Sequence, residues 1–261
     1  GQSGGRPEAA TLVEYADEVE KYIADTAEAG KAVTIDGALA RVERMRRDRK
    51  AEEDAQSGAV AKAEALEEGT RLEVHVGDFR EVLADLSGVD AIITDPPYAR
   101  EFLPLLDDLA AWADRVLVPD GVLAVLFGQA HLPEVFRRLS GRRPYRWTMA
   151  YLTPGQGYAA HHARVQSNWK PVLVYGGGPR FGDVVESRGM DAEAKALHQW
   201  GQDFGAFYRL VEALTVPGAT VADPFMGSGT TLAAARAAGR HAVGCDIDAA
   251  HCLTARKRLG V

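Results

Sequence analysis

From residue 71 onward, short apolar runs alternate with stretches of helical periodicity, and this alternation constrains the fold more than any other feature of the chain. Strands that alternate with helices predict a mostly parallel sheet covered by helices on both faces. The sequence therefore predicts an α/β fold with seven strands. These are predicted at Leu72–Val76, Ala91–Thr94, Val122–Phe127, Trp147–Leu152, Pro171–Tyr175, Thr220–Asp223 and Ala242–Asp246, with helices at Asp78–Leu86, Leu103–Leu117, Leu132–Leu139, Phe204–Leu214 and Thr230–Ala238.

Residues 1–70 are predicted to form an N-terminal helical arm, separate from a domain at 71–261. One helix is expected within Pro7–Gly30, and a second from about residue 34 to residue 68. The apolar stripe of the second helix gives way to charged residues after Met45, so that part has no apolar face to bury. Residues 1–6 are Gly-rich and lack an initiator methionine, and we interpret them as a tag remnant or a cut in the chain.

The composition excludes several classes of protein. Apolar residues make up 46% of the chain and charged residues 26%, which argues against disorder. No apolar run approaches the ~20 residues of a membrane-spanning helix, and no secretory signal is expected. Two cysteines, Cys245 and Cys252, are too few for a disulfide framework, which favours reduced thiols in a cytoplasmic protein.

The charge is unevenly distributed along the chain. The formal net charge is -7, yet residues 131–170 contain seven Lys or Arg residues and one acid, Glu134. An acidic protein binds a polyanion if one face concentrates positive charge, whereas a solvated loop with scattered arginines is the alternative. We take segment 137–169 as a candidate DNA-facing surface, with the contacts Arg137, Arg138, Arg142, Arg143, Arg146 and Arg164.

The first candidate site follows the predicted strand that ends at Thr94, where the chain reads Asp95-Pro96-Pro97-Tyr98. Two prolines fix two φ angles and remove two N–H donors, so this turn is stiff and leaves carbonyl groups without local partners. A carboxylate, a carbonyl and an aromatic ring on one rigid turn suit a planar amine with two N–H bonds. A plain Pro-Pro turn is the alternative, and the preceding strand disfavours it.

The second candidate site is the Gly-rich turn Asp223-Pro224-Phe225-Met226-Gly227-Ser228-Gly229-Thr230-Thr231, between a strand and a helix. Glycines allow close backbone approach to a ligand, and a helix N-terminus offers free N–H groups. Asp246 ends the next strand, where an acid is placed to bind a ribose diol. The turn lacks the lysine of a phosphate-binding loop and the pattern G-x-G-x-x-G, which disfavours triphosphate hydrolysis and dinucleotide binding.

Together these segments resemble the S-adenosylmethionine-dependent DNA amino-methyltransferases of the permuted β group, in which the catalytic motif precedes the cofactor motif. The likeness covers about residues 71–261 and includes Val76–Phe79 and the ending Gly239–Leu259. It implies a Rossmann-like methyltransferase sheet, S-adenosylmethionine as cofactor, and catalytic roles for Asp95, Pro96, Pro97 and Tyr98. The implied cofactor-binding residues are Asp78, Phe79, Asp95, Gln202, Asp223, Pro224, Phe225, Gly227, Ser228, Gly229, Thr230, Thr231, Asp246 and Ile247.

Two departures from the family pattern bear on these assignments. Family members often carry a His-Pro-Lys type segment where this chain reads His198-Gln199-Trp200-Gly201-Gln202-Asp203. Only about 20 residues lie between Tyr175 and His198, too few for a separate recognition domain. Target recognition is therefore assigned to the basic segment, the helical arm, a second copy of the chain in a homodimer, or a missing domain. His161 and His162 have no nearby acid or cysteine, so no metal site is predicted.

The implied reaction is methyl transfer to the exocyclic N6 amine of adenine in double-stranded DNA, with the target base flipped out of the duplex. Asp95 and the Pro96 carbonyl would accept the two N–H bonds, and Tyr98 would stack on the base. Asp at position 95 favours adenine, because cytosine-N4 members more often carry Ser there. A cytosine-N4 enzyme and a non-catalytic DNA-binding protein are the alternatives.

The resemblance also bears on the surroundings of the enzyme. It implies a prokaryotic or phage-type protein of a restriction-modification kind, acting on DNA in the nucleoid. We call the segment Asp95–Tyr98 the catalytic turn. The arginines of segment 137–146 are expected beside this turn, where they would neutralise phosphates that flank the flipped base.

Overall fold

The computed structural model describes residues 16–28, 34–35, 37–40, 42, 69–153, 158–160, 164–186 and 204–261. The chain divides into two compact units, residues 1–60 and 61–261. In the first unit, helix α1 spans Ala16–Glu28 inside the stretch predicted to be helical. Residues 35, 37–40 and 42 are also helical. The rest of the predicted arm, including residues 1–6 and 43–68, lies outside the described residues.

The second unit is built on an eight-stranded sheet with a separate two-stranded hairpin. In chain order the strands are β1 (Leu72–Val76), β2 (Val89–Thr94), β3 (Leu117–Leu126), β4 (Tyr145–Leu152), β5 (Tyr158–Ala160), β6 (Val165–Ser167), β7 (Trp169–Gly176), β8 (Val184–Glu186), β9 (Thr220–Asp223) and β10 (His241–Asp246). The sheet order is β1-β10-β9-β2-β3-β7-β4-β8, and β5 pairs with β6. Strand β7 is antiparallel to both of its neighbours, and the other sheet pairs are parallel.

The predicted α/β class is confirmed, but the main sheet has eight strands where seven were predicted, and the β5–β6 hairpin was not predicted. All seven predicted strands are present in the sheet, and β9 has the predicted bounds. The eighth strand, β8, has three residues and pairs with β4 at the sheet edge. A segment this short carries too little alternation to be recognised in a sequence.

The helices that cover the sheet are α2 (Phe79–Val82), α3 (Leu105–Val116), α4 (Leu132–Leu139), α5 (Phe204–Leu214), α6 (Thr230–Ala237) and α7 (Ala249–Leu259). Two of them, α4 and α5, have the predicted bounds. Helix α2 is shorter than predicted: it starts after its N-cap Asp78 and ends at Val82. Within the described part of the chain, no helix is both long and apolar enough to cross a bilayer.

Side chains of β3 alternate between two hydrophobic clusters, one on each face of the sheet. Val122, Ala124 and Leu126 belong to a cluster that includes residues of α5, α6 and α7. The intervening residues Leu123 and Val125 belong to a second cluster, which includes residues of α2, α3 and α4. This period of two is the geometry of an extended strand, and it places helices on both faces.

The four strands β1, β10, β9 and β2 are adjacent and parallel, so they end at the same edge of the sheet. Register pairs Val76 with Asp246 and Gly244 with Asp223. We call this the carboxyl edge and the opposite one the amino edge. Open parallel sheets bind ligands at the carboxyl ends of their strands, so the turns after these four strands are where a site is expected.

Candidate active site

A cavity of about 1310 Å³ opens at the carboxyl edge. Most of the residues predicted to bind the cofactor line it, and these are Asp78, Phe79, Asp95, Asp223, Pro224, Phe225, Gly227, Ser228, Thr230, Thr231, Asp246 and Ile247. The predicted catalytic residue Pro97 lines it as well. The structure thus brings the two predicted turns together, although they lie more than 120 residues apart in the sequence.

Asp95 and Tyr98 contact each other in the turn after β2. The Tyr98 hydroxyl donates a hydrogen bond to Asp95, and the Tyr98 ring packs on Phe127 with 4.9 Å between ring centroids. Burial raises the pKa of the Asp95 carboxyl, while the Lys170 ammonium and the Tyr98 hydrogen bond act in the opposite direction. The carboxylate that would accept an amine therefore already has two partners from the chain itself.

Asp223 is buried at the end of β9, and its hydrogen bonds hold the Gly-rich turn. Its Oδ1 accepts hydrogen bonds from the Thr94 hydroxyl at 2.7 Å and from the Phe225 N–H at 3.1 Å. Burial raises its pKa to about 6, against hydrogen bonds from Thr231 and Thr94 that lower it. Asp223 thus connects the ends of β2 and β9.

The Gly-rich turn reaches Asp246 of the neighbouring strand. Gly227 has a φ of +51°, and its N–H donates to Asp246 Oδ2 at 3.0 Å. The other carboxylate oxygen of Asp246 accepts from the Asp248 N–H at 2.9 Å. A Cβ at Gly229, which precedes α6 with a φ of +78°, would lie 2.9 Å from the Ala255 Cβ. Glycine is therefore required here both by conformation and by the close approach of α7.

Asp78 has a partner that the sequence did not reveal. Its carboxylate caps α2 through the Arg80 N–H at 2.9 Å and accepts from the Arg80 guanidinium at 2.6 Å. The Arg80 side chain lowers the pKa of Asp78 and also donates to Asp108 at 2.8 Å. Arg80 and Asp108 line the cavity. Asp108 lies on α3 next to another acid, and no motif singles it out.

Several apolar cavity residues were also missed by the sequence analysis. Phe102 and Leu105 follow the catalytic turn, Phe207 lies on α5 and Met226 lies within the Gly-rich turn. Phe207 and Leu105 have the spacing of ordinary buried helix positions, so only their tertiary placement identifies them. Of the remaining predicted residues, Pro96, Tyr98 and Gly229 lie within the same two turns as the lining residues.

Arginines 142, 143 and 146 lie at the amino edge, away from the catalytic turn. Arg143 donates to the carbonyls of Leu117, Val118 and Gly121 at 3.2 Å each. Arg146 donates to the carbonyls of Gly177 and Pro179. The expectation that these arginines flank the catalytic turn is wrong, because the chain passes to the amino edge between α4 and β4.

The other arginines of the basic segment differ in exposure. Arg137 and Arg138 form ion pairs with Glu134, and Arg138 also pairs with Asp107. Arg142 is 52% exposed, with Asp114 at 3.9 Å. Arg164 is exposed in the turn between β5 and β6, with a φ of +54°. Contact of these side chains with DNA stays a prediction.

Gln202, His198, Trp200, His161 and His162 lie outside the described residues. Among the residues that the structure does describe, no group of three or more His, Cys, Asp or Glu side chains is arranged to hold a metal ion. Cys245 and Cys252 are both buried free thiols. Burial raises the pKa of each thiol, which makes the reactive thiolate scarce.

Comparison with known sequences shows that this chain is similar to DNA methylases. The sequence model of a family described as DNA methylase matches residues 204–257. Type II methyltransferase M.MthZI of Methanothermobacter thermautotrophicus is 25% identical in an alignment of length 166, and the match covers 51% of this chain and 45% of that protein. YubD of Escherichia coli strain K12, a putative methylase by name, is 27% identical in an alignment of length 197, and the match covers 66% of this chain and 82% of YubD.

A solved structure shares the fold. The crystal structure of the M1.HpyAVI–SAM complex has a TM-score of 0.59 and 22% identity, and the match covers 73% of this chain and 100% of that one. The aligned part of our chain spans less than half the length of M.MthZI.

Proposed function

We propose that this chain is an N6/N4 DNA methylase that transfers a methyl group from S-adenosylmethionine to the N6 amine of adenine in double-stranded DNA, and the family-model match over residues 204–257 supports the family assignment. The observation that carries the proposal is one cavity lined by the catalytic turn, the Gly-rich turn and Asp246. A base entering beside Asp95 would share that cavity with a cofactor held at Asp246. The volume exceeds the ~300–1,000 Å³ of a pocket for one small ligand.

The cavity residues fit S-adenosylmethionine. Asp246 supplies carboxylate oxygens at the end of β10, suited to ribose hydroxyls. Ile247 is 79% exposed beside it and offers an apolar surface for an adenine ring. A Cβ at Gly227 would meet no atom within 4 Å, so glycine leaves open space at the turn for a ligand. When bound, the cofactor supplies an electrophilic methyl group.

The residues of the catalytic turn would bind and orient the amine. Asp95 and the Pro96 carbonyl accept its two N–H bonds, which leaves the nitrogen lone pair free to face the methyl group. For this the Tyr98 hydroxyl must give up its hydrogen bond to Asp95. The Tyr98 ring then stacks on the base, an interaction worth ~1–3 kcal/mol. The rest of the rate enhancement comes from proximity and orientation.

The same proposal covers the surface that meets DNA, the cellular compartment and the oligomeric state. Duplex DNA would approach the carboxyl edge, and the exposed Arg164, in the connection between the paired ends of β4 and β7, is proposed to meet a phosphate there. The enzyme is proposed to act in the cytoplasm on a flipped base. Association into a homodimer would supply recognition surface that the region between β7 and α5 is too short to hold.

The test is incubation of the purified chain with mixed-sequence duplex DNA and S-adenosylmethionine carrying a labelled methyl group. Digestion to nucleosides should then give labelled N6-methyladenine, and the Asp95→Ala variant should give far less in the same time. Labelled N4-methylcytosine would replace the adenine assignment with the cytosine one. Cofactor and DNA binding without any labelled base would identify a non-catalytic DNA-binding protein.

A further inference from the structure

We propose that Lys170 is a positioning residue for Asp95, whose ammonium keeps the carboxylate charged and oriented in the pocket that would receive the target amine. The inference rests on the proposed function for its catalytic meaning. It is argued from a contact between two side chains at strand ends, since Lys170 lies at the start of β7 and Asp95 follows β2. Neither the catalytic motif nor the Gly-rich motif contains Lys170.

The ammonium of Lys170 lies between the two side chains of the catalytic turn. Its Nζ is 4.0 Å from Asp95 Oδ2 and donates a hydrogen bond to the Tyr98 hydroxyl at 3.4 Å. The same Nζ lies 5.3 Å from the centroid of the Tyr98 ring. One cation therefore contacts both the carboxylate and the aromatic ring that would bind the base.

The backbone holds Lys170 at this position. Pro171 restricts the preceding residue to extended conformations, and Lys170 pairs with Tyr151 of β4. The Pro171 carbonyl accepts from the Phe127 N–H at 3.2 Å, and Phe127 packs under the Tyr98 ring. The backbone at Lys170 and the aromatic pair are thus held in the same part of the sheet.

Burial and a neighbouring acid disfavour the charge of Asp95, whereas the Tyr98 hydrogen bond and the Lys170 ammonium favour it. Burial raises its pKa, and the Asp223 carboxyl at the end of β9 is close enough for the two charges to repel. The remaining titratable neighbours are Tyr98 in the same turn and Tyr151 of β4, which faces Tyr98. Among these described neighbours, Lys170 is the positive group. An opposite charge at this distance typically lowers a carboxyl pKa by ~1–3 units.

The experiment compares the full-length wild type with Lys170→Met and Lys170→Arg. The Asp95 pKa is followed by ¹³C NMR of chains labelled at the aspartate carboxyl carbon, with Asp95→Asn used to assign the signal. Lys170→Met should raise the Asp95 pKa by ~1–3 units. The acid limb of the single-turnover methylation rate should move to higher pH by the same amount. Lys170→Arg should restore both, because it returns the positive charge.

The matched control is Lys257→Met, which removes an exposed lysine on α7. It should leave the NMR titration of Asp95 and the pH dependence of the methylation rate unchanged. An unchanged Asp95 pKa in Lys170→Met would overturn the proposal. So would a raised KM for DNA at every pH with an unmoved acid limb, which would make Lys170 a phosphate contact. The NMR titration needs no methylation, so a wild type that methylates nothing would refute the proposed function and leave this inference separately tested.

Discussion

The two edges of the sheet use charged side chains in opposite ways. At the amino edge, Arg143, Arg146 and the buried Arg240 donate to backbone carbonyls of neighbouring turns. At the carboxyl edge, Asp95 and Asp246 line a large cavity. A cluster of charge becomes a binding site only where its hydrogen-bonding capacity remains available to a ligand. The amino-edge arginines stabilise the fold, whereas our proposal assigns Asp95 and Asp246 to ligand binding.

The largest effect is expected at Asp95. Asp95→Ala should lower the methylation rate by about 10²–10⁴-fold, because it removes the acceptor for the reacting amine. Affinity for S-adenosylmethionine should be largely retained, since the main proposed cofactor contacts are Asp246, Ile247 and the Gly-rich turn, which lie at the ends of β9 and β10. Single-turnover rates and calorimetric titration measure the two quantities. A variant with most of the wild-type rate would remove Asp95 from the reaction.

The pH dependence of unfolding shows how the buried Asp223 at the carboxyl edge contributes to stability. Its pKa is raised to about 6, so between about pH 4 and pH 6 the folded chain holds a proton that the unfolded chain releases. The unfolding free energy therefore falls as pH rises through this window. The wild type should lose about 3 kcal/mol there relative to Asp223→Asn. Urea denaturation at pH 4 and pH 7 measures the difference, and the exposed Asp85→Asn should keep the wild-type slope.

Arg143 tests the amino edge directly. Its side chain is only 11% exposed, and Arg143→Ala removes its hydrogen bonds to the partly buried carbonyls of Leu117, Val118 and Gly121. The unfolding free energy should fall by about 1.5–3 kcal/mol. Its neighbour Arg142→Ala is the matched control, because that side chain is 52% exposed and its loss should cost less than ~0.5 kcal/mol. Equal stability of the two variants would contradict a structural role for Arg143.

Asp246 tests the cofactor half of the carboxyl edge. Asp246→Ala should weaken S-adenosylmethionine binding by ~1–3 kcal/mol, the range for hydrogen bonds to a charged acceptor. Calorimetry on the folded variant measures the loss, and Asp95→Ala serves as a control that should keep its affinity. Unchanged binding would place the cofactor elsewhere in the cavity.

The smallest effect concerns the DNA surface. Arg164→Ala should reduce the slope of log affinity against log salt by up to ~0.9, the value for one lost phosphate contact. Arg142→Ala, at the amino edge, should leave the slope unchanged. Fluorescence anisotropy with one duplex at several salt concentrations measures both. The opposite result would move the DNA to the amino edge.

The sequence by itself determined the fold class, the order of the elements and the two turns that line the cavity. Each of these depends on local signals, such as the apolar run of β2 ending at a Pro-Pro turn or the glycines before α6. The two turns share a cavity because parallel strands end at one edge and because β2 and β9 are neighbours in the sheet, an adjacency that the structure supplied. The tripeptide β8 was missed because its pattern is too short.

Only the tertiary structure decided which charged residues are available to a ligand. The structure places three arginines of the basic segment, Arg142, Arg143 and Arg146, at the amino edge. Two of them, Arg143 and Arg146, donate hydrogen bonds there to backbone carbonyls of residues distant in the sequence. Lys170 lies 75 residues from Asp95 in the sequence, and the antiparallel β7 brings them within 4.0 Å. Hydrogen-bond partners and local charge depend on contacts between distant segments, which a local sequence pattern does not contain.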